Sequence, residues 1–155
     1  MPIQRMTADL SAYPDLVVIY LGMRAQSMRG LITLGTFGPG IAKAVAEKPD
    51  GLLLHEQLFY SVFPLHVGMR QYWRDFDSLE KWSRSLPHKQ WWAEFVRKPA
   101  GVGFWHETYF RRGGFESVYD ELAEPVGFLK FGTPVKAEGP MFSARQRMRL
   151  PELRE

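Results

Sequence analysis

Runs with a two-residue hydrophobic period alternate with stretches of helical spacing along the chain, and their order outlines a fold. Asp15 to Gly22, DLVVIYLG, is a near-continuous β-branched and aromatic run that fits a strand buried on both faces. Met23 to Lys48 has helical tendency, with Met28, Leu31, Ile32, Ile41 and Val45 available for an inner face. Gly35, Gly38, Pro39 and Gly40 interrupt it. Because Pro39 removes an amide donor and crowds the preceding turn, two helices with a break near residues 35–40 are expected. Pro49-Asp50-Gly51 is a turn signal. Leu52 to Tyr60 reads as a second strand. Val67 to Arg74 reads as a third, with Met69, Gln71 and Trp73 on one face and Arg70, Tyr72 and Arg74 on the other.

Asp75-Phe76-Asp77-Ser78 supplies N-cap residues ahead of a helix bearing Leu79 and Trp82. Pro87 stops that helix, and a second helical stretch follows from His88 to Val96. Gly101 to Tyr119, GVGFWHETYFRRGGFESVY, then reads as one long buried strand, a bend at Gly113-Gly114 and a short return strand. The order is β-α-β-β-α-β. That is the split pattern of an α+β, ferredoxin-like sandwich with four antiparallel strands and helices on one face. Residues 1–13 form an irregular arm, 14–122 the ferredoxin-like domain, and 123–155 a partly irregular C-terminal extension. If the sheet's second face is as apolar as its strands suggest, it cannot stay exposed, so a homodimer packed sheet to sheet is expected.

Composition narrows the function classes. The 155 residues fit one domain, and 45% hydrophobic with 24% charged content is that of an ordinary soluble globular protein. No cysteine is present, which excludes disulfides, thiolate nucleophiles and thiolate-held haem or iron–sulfur clusters. No apolar segment is long enough to span a bilayer and no signal peptide is evident, so a cytoplasmic protein without membrane attachment is expected. Net charge is +3, with Lys136, Arg145, Arg147, Arg149 and Arg154 concentrated in the tail. A solvated, loosely ordered tail is the expectation there. No basic face with interleaved aromatics suggests nucleic-acid binding.

Candidate chemistry centres on two histidines. On the Gly101 strand, Val102, Phe104, His106, Thr108 and Phe110 share one face; Gly103, Trp105, Glu107, Tyr109 and Arg111 share the other. An imidazole beside Phe104 and Phe110 is expected to be at least partly buried and to need a partner. His88 starts the aromatic helix eighteen residues earlier. In the split topology a helix histidine and a strand histidine can face each other across a gap lined by Trp91, Trp92, Phe95 and Phe104. That gap suits a flat ligand, with haem the obvious candidate. Each ring also has an ordinary structural reading: His106 bonded to a carbonyl or carboxylate, His88 turned to water at a helix start. His66, in a Pro-containing loop, reads as a surface residue. Glu107 is a weaker acid–base candidate, because Glu107 and Glu116 can instead pair with Arg24, Arg70 or Arg74. There is no HExxH motif, and GTFGPG lacks the lysine and setting of a phosphate loop.

The segments YWRDFDSLEKWSRSLPH, GVGFWHETY and GGFESVY carry a resemblance. From about Leu16 to Gly127 the chain resembles a family of monooxygenases in the dimeric α/β barrel, antibiotic-biosynthesis monooxygenase-like superfamily. The resemblance implies a ferredoxin-like fold and a homodimer. More distantly, W-S-x-S-x-P-H on a helix followed by H-E on a strand is similar to the order in haem-dependent aldoxime dehydratases. That likeness implies His88 as proximal haem ligand and His106 as distal acid–base group; Trp92 and Phe104, which line the gap between helix and strand, are the other expected cofactor contacts. Two classes of function follow. One is an enzyme of oxygenase type on a small, mostly apolar metabolite, with or without haem; a haem-dependent lyase or dehydratase is its variant. In the cofactor-free form His106 is the base and Trp105 or Trp92 shapes the site. The other is a non-catalytic barrel that binds a hydrophobic ligand, for which His106 must be buried, bonded to protein and away from any cavity.

Overall fold

The computed structural model describes residues 4–97, 100–111, 115–122, 125, 127–143, 146, 147 and 149, the side chains of 95, 96, 120 and 142 excepted. Packing divides the chain into two compact units: residues 16–110, and residues 1–15 together with 111–155.

In the first unit the elements are β2 (Val17–Ala25), α1 (Met28–Ala46), β3 (Leu52–Ser61), β4 (His66–Trp73), α2 (Phe76–Ser83), α3 (His88–Arg97) and β5 (Val102–Phe110). Strand β1 (Arg5–Asp9) precedes them in the other unit. The sheet order is β3-β4-β2-β5, antiparallel at every junction. This is a ferredoxin-like α+β fold. The two-residue period settles the register: Gln57, Met69, Leu21 and His106 form one row, and His55, Gln71, Ile19 and Thr108 the next. Val17, Ile19, Trp73 and Leu79 form a buried cluster with Leu21, Leu52 and Trp82 against it, so this sheet face is the core side.

Two boundaries differ from expectation. Strand β2 runs on to Ala25, and helix α1 starts only at Met28, where Ser27 Oγ accepts the Gly30 amide at 3.2 Å. The helix then continues unbroken through Pro39. Pro39 would deprive the Gly35 carbonyl of its donor, but Gly35 and Pro39 are both exposed, so water can serve that oxygen. Gly35 has nothing near its absent Cβ. Leu34 and Ala44 stay buried on either side, which rewards continuing the helix.

Helix α2 begins as expected. Asp75 accepts the Ser78 amide at 2.7 Å, and that bond holds its carboxyl down at about 2. The end of α2 explains the start of α3. Ser83 would offer its carbonyl to residue 87, but Pro87 has no amide hydrogen. The ring Nδ1–H of His88, one residue on, donates to that carbonyl at 3.1 Å instead.

In the second unit β1 (Arg5–Asp9) pairs with both β6 (Tyr119–Asp120) and β7 (Thr133–Lys136), so the stretch expected as an irregular arm is a central strand. The return strand expected after β5 therefore belongs to another sheet. The Gly113-Gly114 bend lies outside the described residues. Nor is the tail merely solvated. Arg147 is buried; its Nε donates to Glu116 Oε2 at 2.9 Å and its Nη1 to the Met141 carbonyl at 2.8 Å. Arg145 and Arg154 lie outside the described residues.

Candidate functional site

A cavity of about 530 Å3 opens over the helix-covered face of the four-stranded sheet. That volume lies within the range of small-molecule sites. The sheet supplies Ile19, Leu21 and Met23 from β2, Met69 and Gln71 from β4, and Phe104, His106 and Thr108 from β5. Helix α2 adds Phe76, Leu79, Glu80, Trp82 and Ser83, followed by Arg84. Helix α3 adds His88, Trp91 and Trp92, and α1 adds Phe37 and Ile41. The walls are mostly apolar, and the two imidazoles come from different layers.

Each histidine has a distinct setting. His88 is half-buried, with its ring 4.8 Å from Trp82 and 6.2 Å from Trp91. Desolvation pulls its pKa below the ordinary value, against the smaller opposing effect of the Ser83 carbonyl. The ring is therefore neutral, and with Nδ1–H tied to Ser83, Nε2 keeps the open lone pair. His106 lies 5.9 Å from Phe104, which in turn stands edge-on to Trp92 at 5.4 Å. His106 is exposed, contrary to the expectation of a buried ring. The outer half of β5 carries only partial cover, and no hydrogen bond reaches His106 from the described residues.

The other expected site residues fall as follows. Trp92 is 48% exposed and lines the cavity with Phe104. Glu107 points to the opposite face, where Tyr109 Oη–H donates to its Oε2 at 2.6 Å. It is not a cavity residue, and alternation along β5 is the reason. Trp105 lies on that same far face and does not shape the cavity. Arg70 pairs with Glu56, not Glu107, through Nε at 2.9 Å and Nη2 at 2.6 Å. Arg74 pairs with Asp50 and Asp75. His66 is partly buried, not a free surface ring: Trp105 Nε1–H donates to its Nε2 at 2.9 Å and Tyr60 stacks on it at 4.6 Å. The Phe95 side chain lies outside the described residues.

Several cavity residues escape a reading by histidines and aromatics alone. Gln71 is 0% exposed; its Oε1 accepts from Trp73 Nε1–H at 3.1 Å and its Nε2 donates to His55 Nδ1 at 3.2 Å. Its place on the Met69–Trp73 face of β4 was the available signal. Phe37, four residues before Ile41 on α1, was obscured by the glycines and proline around it, whereas Ile41 was among the expected inner-face positions. Glu80 and Arg84 form an i,i+4 pair at 2.7 Å that reads from sequence as an ordinary surface pair.

Fold and cavity together define a ferredoxin-like α+β protein with an aromatic pocket between its helices and its sheet. Residues 16–128 match the model of the Monooxygenase af470-like family, and the chain belongs to that family. No curated protein matches the chain in sequence. Among solved structures, an aldoxime dehydratase aligns over 96% of this chain at 20% identity and a TM-score of 0.71. An aldoxime dehydratase in complex with butyraldoxime aligns over 97% at 22% identity and 0.74. The chain spans 44% of the length of each of those proteins. The cofactor-independent oxygenase SnoaB from Streptomyces nogalater aligns over 61% of this chain and 91% of its own, at 13% identity and 0.46. At 20% and 22% identity the likeness to the two aldoxime dehydratases is one of fold. No helix among the described residues is long and apolar enough to cross a membrane.

Proposed function

We propose that the chain is a small-molecule enzyme of oxygenase type, acting on a small, mostly apolar metabolite in the cavity above the sheet. The observation that carries this reading is the convergence of His88 and His106, from helix and strand, on one apolar cavity. His88 would be the residue to hold a haem iron: its ring is neutral, Nδ1–H is anchored on the Ser83 carbonyl, and Nε2 is free. Trp82, Trp91, Trp92 and Phe104 supply the apolar walls that a flat macrocycle requires. Haem, when bound, supplies a redox-active Lewis-acidic iron. The chain's own residues orient the substrate against the aromatic walls and keep water away from it. His106, without a protein hydrogen bond among the described residues, is available to accept or donate a proton at the substrate.

The same arrangement serves a dehydratase or other lyase, because His106 can move a proton without any net redox change. A binding-only role asks for a buried, bonded His106 away from any cavity, and His106 has none of these properties. We also propose that the protein works as a homodimer through the far face of the sheet. That face is mixed, not purely apolar: Val18 and Tyr72 are buried while Glu107 and Tyr109 are open. Its partners are a second copy and a small hydrophobic substrate.

Protein purified from haem-supplemented cells tests the cofactor. A Soret band that shifts or vanishes in His88→Ala is expected; a colourless protein that cannot be reconstituted removes haem from the reading. For His106, turnover in His106→Gln is expected to fall about a hundredfold or more. Unchanged turnover retires its proton-transfer role. Oxygen uptake against conversion of an alkyl aldoxime separates oxygenase from dehydratase. Light scattering is expected to give twice the chain mass.

A further inference from the structure

Among the described residues that line the cavity, Arg84 carries the one permanent positive charge. It is the C-cap residue of α2, and its side chain is 75% exposed, which places it at the rim and not in the interior. Among the described residues its side-chain partner is Glu80, 41% exposed and one turn back, whose Oε1 accepts from Arg84 Nη2 at 2.7 Å. An exposed i,i+4 pair adds little to stability and is readily exchanged. A guanidinium presents five donors in a planar fork suited to a carboxylate or other oxyanion, and Glu80 occupies only part of it. The rest of the cavity is aromatic and aliphatic, apart from its two imidazoles, Gln71, Ser83 and Thr108. An apolar hollow with one fixed cation at its edge matches a molecule that is greasy along its body and anionic at one end.

We propose that the cavity takes an amphipathic anion, an apolar body ending in a carboxylate or similar acid group, and that Arg84 binds that end at the rim by exchanging its bond to Glu80. This rests on the cavity being a ligand site. The acid group has two sources, a free organic acid or the propionates of haem, and both present the same chemistry to Arg84.

Two probe pairs test it, each sharing one apolar skeleton. The first is 1-anilinonaphthalene-8-sulfonate against the uncharged N-phenyl-1-naphthylamine, followed by fluorescence. The second is haemin against its dimethyl ester, followed by absorbance. Arg84→Gln is expected to weaken the sulfonate about five- to tenfold while moving the uncharged amine less than about twofold. Glu80→Gln should tighten the sulfonate, because the competing carboxylate is gone, and added salt should weaken the charged probe alone. Dependence on Arg84 in the first pair assigns a free acid; in the second pair, the haem propionates. Either supports the proposal. If both members of each pair respond equally to Arg84→Gln, or none responds, the Arg84 assignment is overturned while the cavity stands. If none of the four probes binds, cavity and assignment fall together.

Discussion

The two faces of the four-stranded sheet use the same alternating strands to opposite ends. On the far face, charge and ring pair off along the rows. Glu56 takes Arg70, Arg70 Nη1 donates to Tyr20 Oη at 3.2 Å, and the guanidinium lies over the Tyr72 ring at 5.3 Å. Trp105 and Tyr60 close over His66 in the next stretch. On the cavity face His106 has no hydrogen bond from the described residues and His88 spends only one ring nitrogen. This contrast points to where function lies: a face whose charges and rings engage one another is built for cohesion, whereas unspent polar groups beside open volume are available to a ligand.

The two faces differ most in how they tolerate added volume. Gly22 and Gly68 sit opposite each other in β2 and β4, under the far-face rings. A Cβ on Gly68 would meet the Leu21 carbonyl and lie 2.8 Å from the Tyr60 ring; one on Gly22 would lie 2.5 Å from Trp105 Nε1. Gly68→Ala is expected to cost about 3 kcal/mol or more in urea unfolding, since backbone and packed rings must both yield. On the cavity face, Thr108→Leu adds more volume and is expected to cost less than about 1 kcal/mol, because open space receives it. Equal costs would show that the cavity closes in solution.

A smaller effect tests the matched charges. Glu56→Gln leaves the half-buried Arg70 without its anion and is expected to cost about 1–2 kcal/mol. His106→Gln, which breaks no protein hydrogen bond among the described residues, should fall within about 0.5 kcal/mol of the parent. Denaturant midpoints at one pH compare the two directly. A His106 variant as costly as the Glu56 variant would mean that His106 has a structural partner after all.

What the sequence made legible follows from which interactions are local. The β-α-β-β-α-β order, the faces of β4 and β5, and the Asp75 cap all depend on residues a few positions apart, and all are found where the period places them. That both histidines face one cavity also follows, once β5 is known to turn Phe104 and His106 toward the helix layer. What failed to show was non-local. No sequence feature announces that β1 will pair with β6 and β7, or that Arg147 will be buried against Glu116. The pairing of Arg70 with Glu56 instead of Glu107 depends on strand order, which alternation does not determine. Pro39 misled because a local rule was outweighed by the burial of Leu34 and Ala44 on the same helix. Arg84 was hidden differently: its i,i+4 partner makes it look ordinary until the cavity beside it is seen.

The smallest expected effect concerns acid. Burial, the first cause in each case, holds the imidazoles of His55 and His88 below their ordinary value of 6.5. Glu56 opposes this at His55 and the Ser83 carbonyl opposes it at His88. The folded protein therefore keeps both rings neutral at pH values where the unfolded chain has begun to take up protons. Between the lowered folded pKa and 6.5 the unfolded state binds more protons, so stability rises with pH through that window. It is fully present above about pH 6.5 and is lost as pH falls toward the folded values. His88→Asn retains an amide donor at the Nδ1 position for the Ser83 carbonyl but no longer titrates. It should remove part of the fall in urea midpoint between pH 7 and pH 5, and His55→Gln should remove another part, each a fraction of a molar. If both variants lose stability as steeply as the parent over that window, neither ring is held neutral by its surroundings. The open Nε2 of His88 would then be protonated as readily as an ordinary imidazole, and the desolvated setting argued for the ring would not hold.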